Sequence, residues 1–157
     1  MPAIDRVFRQ SFCETFGHLY RPEDLGAFLA KFTPEAWTEE FSDPRYRFRI
    51  AEIEGEPVGY LKLGPSTLPV ETEDCAIELR QLYILKEYHG VGIAHALTDW
   101  AIDEARKQGA KELYLTVYTD NHRAKRFYHR YGFEAVGRYD FMVGEQADED
   151  IIMRKRL

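Results

Sequence analysis

The sequence predicts an α+β (α/β) fold in which a mixed, mostly antiparallel sheet contains a central pair of parallel strands and is flanked by helices. Residues 46–63 hold two alternating β-rich runs around a Glu-Gly-Glu-Pro turn, which is typical of a hairpin. From residue 76 the order becomes strand, helix, strand, helix, and that order implies a parallel pair. The length of 157 residues fits one domain, so we expect residues 1–157 to fold as a single unit.

The first third of the chain is predicted to be helical. One apolar stripe recurs at helical spacing and would face a core; its members are Ile4, Val7, Phe8, Ser11, Phe12, Thr15 and Phe16. Pro22 interrupts this region. Thr33 followed by Pro34 is a typical N-cap and first position of a short helix, which Asp43-Pro44 then ends.

The remaining elements are predicted from alternation, helical periodicity and turn residues. Residues 64–75 lack periodicity and are expected to form a surface loop, and the acidic residues before the last strand are expected to form another. We expect helices at 92–108 and 121–131, and strands at 46–53, 58–63, 76–85, 112–118, 134–143 and 151–155.

Charge and cysteine content narrow the function classes. The net charge of −6 argues against nucleic acid as a partner and suits a cationic small substrate. Cys13 and Cys75 lie in no metal-ligand spacing, so we expect free thiols and no metal. The N-terminus does not resemble a secretory signal and no segment is apolar enough for a membrane span, so we expect a cytoplasmic protein without a membrane partner.

A glycine-rich turn joins the predicted strand 76–85 to the following helix. Gly90 and Gly92 would leave bare backbone amides at the helix start, where the helix dipole favours an anion such as a pyrophosphate. The glycines could equally make only a tight turn. No Gly-Lys-Ser/Thr follows, as a P-loop requires, and His95 occupies the place of the third glycine of the dinucleotide fingerprint.

Two segments together resemble the GNAT family of acetyl-CoA-dependent N-acetyltransferases. The turn HGVGIA at 89–94 is similar to the family's Gln/Arg-x-x-Gly-x-Gly/Ala turn, and NHRAKRFYHRYGF at 121–133 is similar to its second motif. The segments ETF, LYILKEYHGVGIA and FMVGEQADEDIIM are most similar to the bacterial spermidine/spermine acetyltransferase branch. Two features depart from the family: His89 replaces the usual Gln or Arg, and its opening β-strand is absent.

The resemblance implies how acetyl-CoA would be held. Leu82, Tyr83 and Ile84 would pair with the pantetheine arm as a strand does, and an amide near Tyr83 or Ile84 would polarise the thioester carbonyl. Asn121 would contact the pantetheine amides, although it could be a helix N-cap alone. Arg130 is a solvated cation or a partner of the 3′-phosphate. The pyrophosphate would lie on His89, Gly90, Val91, Gly92, Ile93 and Ala94.

The resemblance also implies catalytic roles. Tyr128 matches the family tyrosine that protonates the departing thiolate, with a core aromatic as the alternative. By the same resemblance Glu78 is the candidate base, acting directly or through ordered water, and the alternative is a solvated carboxylate. Residues 78 and 82 of a regular strand share one face, so Glu78 is expected to face the same cleft as Leu82. Tyr118 could flank the approach of a cationic acceptor, which could be lined by Glu14, Glu71, Glu73 and Asp74.

These observations predict an N-acetyltransferase that moves the acetyl group of acetyl-CoA to a primary amine by direct attack. The narrower resemblance implies a polyamine such as spermidine or spermine. The alternatives left open are a protein or peptide amine, an amino acid, an aminoglycoside, or a catalytically idle acyl-CoA-binding sensor. An exposed last strand would favour a homodimer.

Overall fold

The computed structural model describes residues 2–72 and 75–157. Short 3-10 turns at Gly17–Leu19 and Lys86–Tyr88 join longer elements. The helices are α1 (Pro2–Phe16), α2 (Pro22–Leu29), α3 (Pro34–Ser42), α4 (Ile93–Lys107) and α5 (His122–Arg130). The strands are β1 (Arg47–Ile53), β2 (Glu56–Pro65), β3 (Ala76–Ile84), β4 (Glu112–Tyr118), β5 (Glu134–Val143) and β6 (Gln146–Arg156).

The strands form one six-stranded sheet in the order β1-β2-β3-β4-β6-β5. Only β3 and β4 pair in parallel, and every other neighbouring pair is antiparallel. The parallel pairing covers just three positions, Ala76–Glu78 against Glu112–Tyr114. The predicted mixed sheet with a central parallel pair is therefore confirmed, and beyond Glu78 the two strands separate.

Helices cover both faces of the sheet and enclose two apolar cores. The first core lies under α4 and α5, with Leu61, Leu79 and Leu113 contributed by the strands. The second lies under α1, α2 and α3, where the predicted stripe of α1 packs with Ile4, Phe8 and Phe12 each at most 1% exposed. In the part of the chain that the structure describes, no helix combines the length and apolar character that crossing a membrane requires.

Local signals placed several element ends correctly. Thr33 caps α3, since its Oγ1 accepts a hydrogen bond from Ala36 N at 3.1 Å. Glu54 and Gly55 connect β1 to β2 with φ values of 52° and 82°, the positive values that a two-residue hairpin turn favours. Helix α1 begins at Pro2, the first described residue.

The expected acidic loop before the last strand is wrong. A turn at Gly144 and Glu145 leads directly into β6, which pairs with β5 from Gln146 onward. Asp148 and Asp150 are 8% and 7% exposed, while Glu149 between them is exposed. The acidic composition concealed this alternation, because carboxylates are usually solvated.

The expected exposed last strand is also wrong. β6 lies inside the sheet between β4 and β5, so the two edges of the sheet are β1 and β5. Any pairing of sheets between two copies would therefore use β1 or β5.

Candidate active site

A cavity of about 650 Å³ opens where β3 and β4 separate. One end is bordered by the residue 89–94 turn, which we call the glycine turn, together with α5. The other end, which we call the carboxylate end, is lined by Phe16, Tyr20, Tyr118, Phe141, Asp148 and Asp150. Between the two ends the cavity follows the cleft between the strands, so an elongated ligand could reach both.

The three predicted strand residues all line this cavity. Leu82, Tyr83 and Ile84 lie beyond the last parallel pair, on the side of β3 that faces the separating β4. The Ile84 carbonyl accepts hydrogen bonds from Ser11 Oγ at 3.1 Å and from His89 Nε2 at 2.8 Å. A strand edge that lacks a neighbouring strand can pair with an extended ligand through main-chain groups.

A one-residue bulge in β3 moves Glu78 away from the expected face. Leu63 pairs with Leu79 but Lys62 pairs with Gln81, so Arg80 is the extra residue. Each residue added to a strand reverses the face of all that follow. Glu78 therefore lies on the opposite face from Leu82, and the expectation that they share one face is wrong.

The surroundings of Glu78 are those of a buried carboxylate beside a cation. Its Oε2 lies 3.2 Å from Arg80 Nη1, and its Oε1 has no hydrogen-bond partner among the described residues. Burial raises the pKa of Glu78, and Arg80 and then Lys62 oppose that shift. Glu78 does not contribute to the cavity lining, so its role as a base stays a prediction without support from cavity geometry.

The glycine turn has the backbone that its sequence suggested. Gly90 and Gly92 have φ values of 81° and 93°, and Gly92 is the N-cap of α4. Within the described residues, a Cβ built at either position meets no atom within 4 Å, so the added group would project into open space. Gly90, Gly92 and Ala94 line the cavity, whereas Val91 is 63% exposed and Ile93 packs against the first core. The first amides of α4 thus face a site that an anion can approach.

His89 connects the glycine turn to α5. Its Nδ1 lies 3.1 Å from Arg123 Nη1. Since arginine can only donate, Nδ1 accepts that hydrogen bond and Nε2 carries the hydrogen donated to Ile84 O. Both ring nitrogens are used within the protein, so His89 orients Arg123 at the cavity wall.

Arg123 is a site residue that the sequence reasoning missed. It lines the cavity beside the glycine turn, as does Arg130 further along α5. The available signal was its position two residues after Asn121 in the first turn of a helix that follows a parallel strand, since such helix starts gather at one edge of the sheet.

Asn121 and Tyr128 of the second motif also line the cavity. Asn121 caps α5, because its Oδ1 accepts a hydrogen bond from Ala124 N at 3.3 Å. Tyr128 is 8% exposed, and burial raises the pKa of its phenol well above the usual range. The phenol therefore keeps its proton at neutral pH and can donate it.

The carboxylate end places two acidic side chains among aromatic rings. The Tyr20 hydroxyl donates a hydrogen bond to Asp148, and Thr116 lines the cavity together with Asp150. Burial, and then the neighbouring charge of Asp148, raises the pKa of Asp150 to about 7. The rings of Phe16 and Tyr118 meet edge to face, with centroids 6.2 Å apart. A cation with an apolar arm would find both charge and aromatic faces here.

Two of the four acidic residues expected near an acceptor lie outside the cavity lining. Glu14 accepts a hydrogen bond from Lys86 N at 2.9 Å, and neither Glu14 nor Glu71 lines the cavity. Glu73 and Asp74 lie outside the described residues, whereas Tyr118 lines the cavity as expected. The missed pair Asp148 and Asp150 could have been found from its i, i+2 spacing.

The site combines a cleft between two separating parallel strands, the N-terminus of α4 for an anion, and the buried Tyr128. This combination is that of a coenzyme A-dependent acyltransferase. The chain belongs to the Acetyltransferase (GNAT) family, whose pattern it matches over residues 8–133. It is an acetyl-CoA-dependent N-acetyltransferase of this family, with acetyl-CoA as the acetyl donor.

Relatives in sequence agree with this assignment over most of their length, and a solved structure agrees with the fold. An uncharacterised N-acetyltransferase of Mycobacterium tuberculosis is 34% identical over 137 residues, which are 87% of this chain and 84% of the relative. One of Escherichia coli is 32% identical over 143 residues, 91% of this chain and 80% of the relative. The crystal structure of PaiA N-acetyltransferase from Thermoplasma acidophilum in complex with coenzyme A is similar in fold, with a TM-score of 0.76 and 24% identity, covering 98% of this chain and 90% of that chain.

Proposed function

We propose that this enzyme acetylates a primary amine of a small polycationic acceptor, a polyamine of the spermidine or spermine class. The observation that carries the proposal is the carboxylate end of the cavity, where Asp148 and Asp150 are buried beside the rings of Tyr20 and Tyr118. Carboxylates select cationic ligands, and aromatic faces attract ammonium groups and pack on methylene chains. The net charge of −6 further favours a cation over an acidic acceptor.

Acetyl-CoA would then occupy the rest of the cavity. We place the pyrophosphate on the glycine turn, where the amides around Gly90 and Gly92 are free of side chains, with Val91 and Ile93 contributing backbone only. Arg123 would supply a charged contact to a phosphate, since His89 holds it at the cavity wall. The pantetheine arm would pair with β3 at Leu82, Tyr83 and Ile84, with Asn121 on the opposite side of the cleft.

Tyr128 would act as the general acid. As the C–N bond forms and the C–S bond breaks, the departing sulfur needs a proton. The Tyr128 phenol lines this part of the cavity, and its raised pKa keeps it protonated at neutral pH. The acetyl carbonyl would accept a hydrogen bond from a β3 amide near Tyr83 or Ile84 as negative charge develops on its oxygen.

The test is acceptor preference under steady-state conditions. Free thiol is followed with acetyl-CoA and spermidine, spermine, an N-terminal peptide or an aminoglycoside, and the product is identified by mass. An aliphatic monoamine of matching length is the control, because it shares the methylene arm and lacks the further charges. We expect kcat/KM for the polyamines to exceed that of the monoamine by at least about tenfold and to fall as salt rises. A preference for the peptide or the aminoglycoside would contradict the polyamine proposal, and acetyl-CoA binding without turnover would favour the sensor.

We also propose a cytoplasmic location and a homodimer. Cys13 and Cys75 are exposed free thiols, which suit a reducing compartment. The β1 edge and the adjoining α3 expose Ile50, Ile53 and Phe41, at 40%, 37% and 39%, and a second copy could cover them. Light scattering on Ile50→Lys tests the dimer: an unchanged dimer mass would rule out this edge.

A further inference from the structure

We propose that Asp150 is the catalytic base of the acetyl transfer, and that its carboxylate takes the proton from the acceptor ammonium before the amine attacks the thioester. The proposal rests on the proposed function, because it requires an acceptor that arrives as a protonated amine. It goes further in naming the base and in placing it on β6 instead of β3.

The position of Asp150 follows from the sheet register. Asp150 pairs with Tyr118 at the carboxyl end of β4, four positions past Tyr114, where β3 and β4 are last paired. Its side chain therefore lies where the cleft is open, and it lines the cavity although the residue is only 7% exposed.

Tyr83 connects Asp150 to the thioester region. Burial raises the pKa of the Tyr83 phenol, and the negative charge of Asp150 raises it further. Tyr83, Asp150 and Tyr128 all line the same cavity. A proton acceptor and a proton donor in one cavity are suited to the two proton transfers of the reaction.

Glu78 is less suited to this role. It sits at the closed end of the cleft, in register with Tyr114, and its carboxylate faces Arg80. A base in that position would have to act through the bulged strand, whereas Asp150 shares the cavity with Tyr128.

The groups around Asp150 hold the pKa of its carboxyl at about 7. Asp148 of the same strand adds negative charge and, after burial, raises the pKa of Asp150 to about 7, while Thr116 of β4 lowers it. Tyr83 of β3 and Tyr118 of β4 also face it, and their pKa values are raised in turn by its charge. The Tyr20 hydroxyl turns toward Asp148, and Tyr139 of β5 pairs with Asp150 in register. An ammonium has a pKa of about 10, so a carboxyl near 7 accepts its proton far more readily than one near 4.

Each proton that moves in the reaction has a donor and an acceptor. The ammonium gives one proton to Asp150, and the neutral amine forms the C–N bond with the acetyl carbonyl carbon. As the C–S bond breaks, the sulfur takes the proton of Tyr128, and the phenolate recovers a proton from the acetylated nitrogen. Asp150 then releases its proton to water, leaving the acetamide and free coenzyme A.

The experiment compares pH–rate profiles of kcat/KM for the wild type and Asp150→Asn, using the amine of highest turnover. For the wild type we expect an ascending limb with an apparent pKa near 7. Asp150→Asn should lower kcat/KM by about 10²- to 10⁴-fold and remove that limb, leaving a dependence that follows the amine's own ionisation near pH 10. The Kd for acetyl-CoA should stay within about twofold of the wild-type value, which separates a lost base from a damaged fold.

Two further variants sharpen the result. Asp148→Asn removes a charge that raises the pKa of Asp150, so the limb should move to lower pH while persisting. Glu149→Gln is the matched control, because Glu149 lies between the two aspartates but faces outward and pairs with Arg138 at 2.9 Å; its profile should match the wild type.

Defined outcomes overturn the proposal. If Asp150→Asn keeps the limb near pH 7, or if Glu78→Gln removes it, Asp150 is not the base. If another amine replaces polyamines as the best acceptor while Asp150→Asn still loses the limb, the proposed acceptor fails and the base stands. Turnover of no amine at all by the wild type would overturn both.

Discussion

Asp150→Asn should stabilise the folded protein at neutral and alkaline pH. In the unfolded chain a carboxyl of this kind ionises at its ordinary value of 3.8, whereas in the folded protein the pKa of Asp150 is about 7. Between these values the folded state holds a proton that the unfolded chain has released. Stability therefore falls as pH rises through this window, and the full penalty is present above the folded pKa.

The magnitude follows from the two pKa values. Each pKa unit corresponds to about 1.4 kcal/mol, so the shift from 3.8 to about 7 sets an upper bound of about 4 kcal/mol. The carboxylate borders an open cavity, where water screens its charge, so we expect a gain of about 1–2 kcal/mol for the amide. For a protein of 157 residues this corresponds to a rise in Tm of about 2–8 °C. Asparagine preserves the shape of the side chain and keeps one oxygen that accepts hydrogen bonds.

The assay is urea unfolding of wild type and variant from about pH 4 to pH 8. The free energy of unfolding of the variant should exceed that of the wild type by a margin that is small at the acid end and grows toward pH 8. Asp140→Asn is the control, because Asp140 is exposed on the neighbouring β5 and the same change should give no pH-dependent margin. A margin that is equal at all pH values, or a variant less stable at pH 8, would refute the idea that Asp150 is held as a strained, partly protonated acid.

Three further predictions concern the cofactor part of the site. Tyr128→Phe should lower kcat by about 10²- to 10⁴-fold with little change in the Kd for acetyl-CoA, and unchanged turnover would leave Tyr128 as a core residue. Gly92→Ala and Gly109→Ala each place a side chain at a positive φ, 93° and 80°, and each should destabilise the fold by about 1–3 kcal/mol. Calorimetry should show weaker acetyl-CoA binding for Gly92→Ala alone, because Gly92 lines the cavity and Gly109 does not. Arg123→Ala should weaken acetyl-CoA binding about 3- to 10-fold and reduce its salt dependence, whereas Arg126→Ala, which lies outside the cavity lining, should not.

The fold was predictable because its signals are local. The α1 stripe, the Thr33 cap and the hairpin turn at Glu54 and Gly55 depend on neighbours within four residues, and each was confirmed. The glycine turn was also predictable from local sequence, because Gly90 and Gly92 have positive φ values, which glycine adopts more easily than other residues.

The proposed proton-accepting side of the site was less predictable, because two long-range facts decide it. The bulge at Arg80 exists only in the pairing of β3 with β2, and it reverses the face on which Glu78 lies. The chain that follows α1 packs against the start of β6, where Tyr20 donates a hydrogen bond to Asp148 and Leu19 O accepts one from Gln146. The i, i+2 spacing of Asp148 and Asp150 is a local sign of the buried face of β6, whereas the bulge at Arg80 leaves no sign in the local sequence.

These two facts also explain why a destabilising carboxylate persists in the core. A buried carboxyl whose ionisation destabilises the folded protein is a poor choice for packing. An amide or an apolar residue would fill the same place without that penalty. A base must ionise at the working pH and still hold a proton well enough to take it from an ammonium, which requires the burial and the neighbouring Asp148 that make Asp150 unfavourable for stability. Asp150→Asn should therefore raise the stability of the folded protein and lower its activity. If the variant loses both stability and activity, the result counts against a catalytic reason for Asp150.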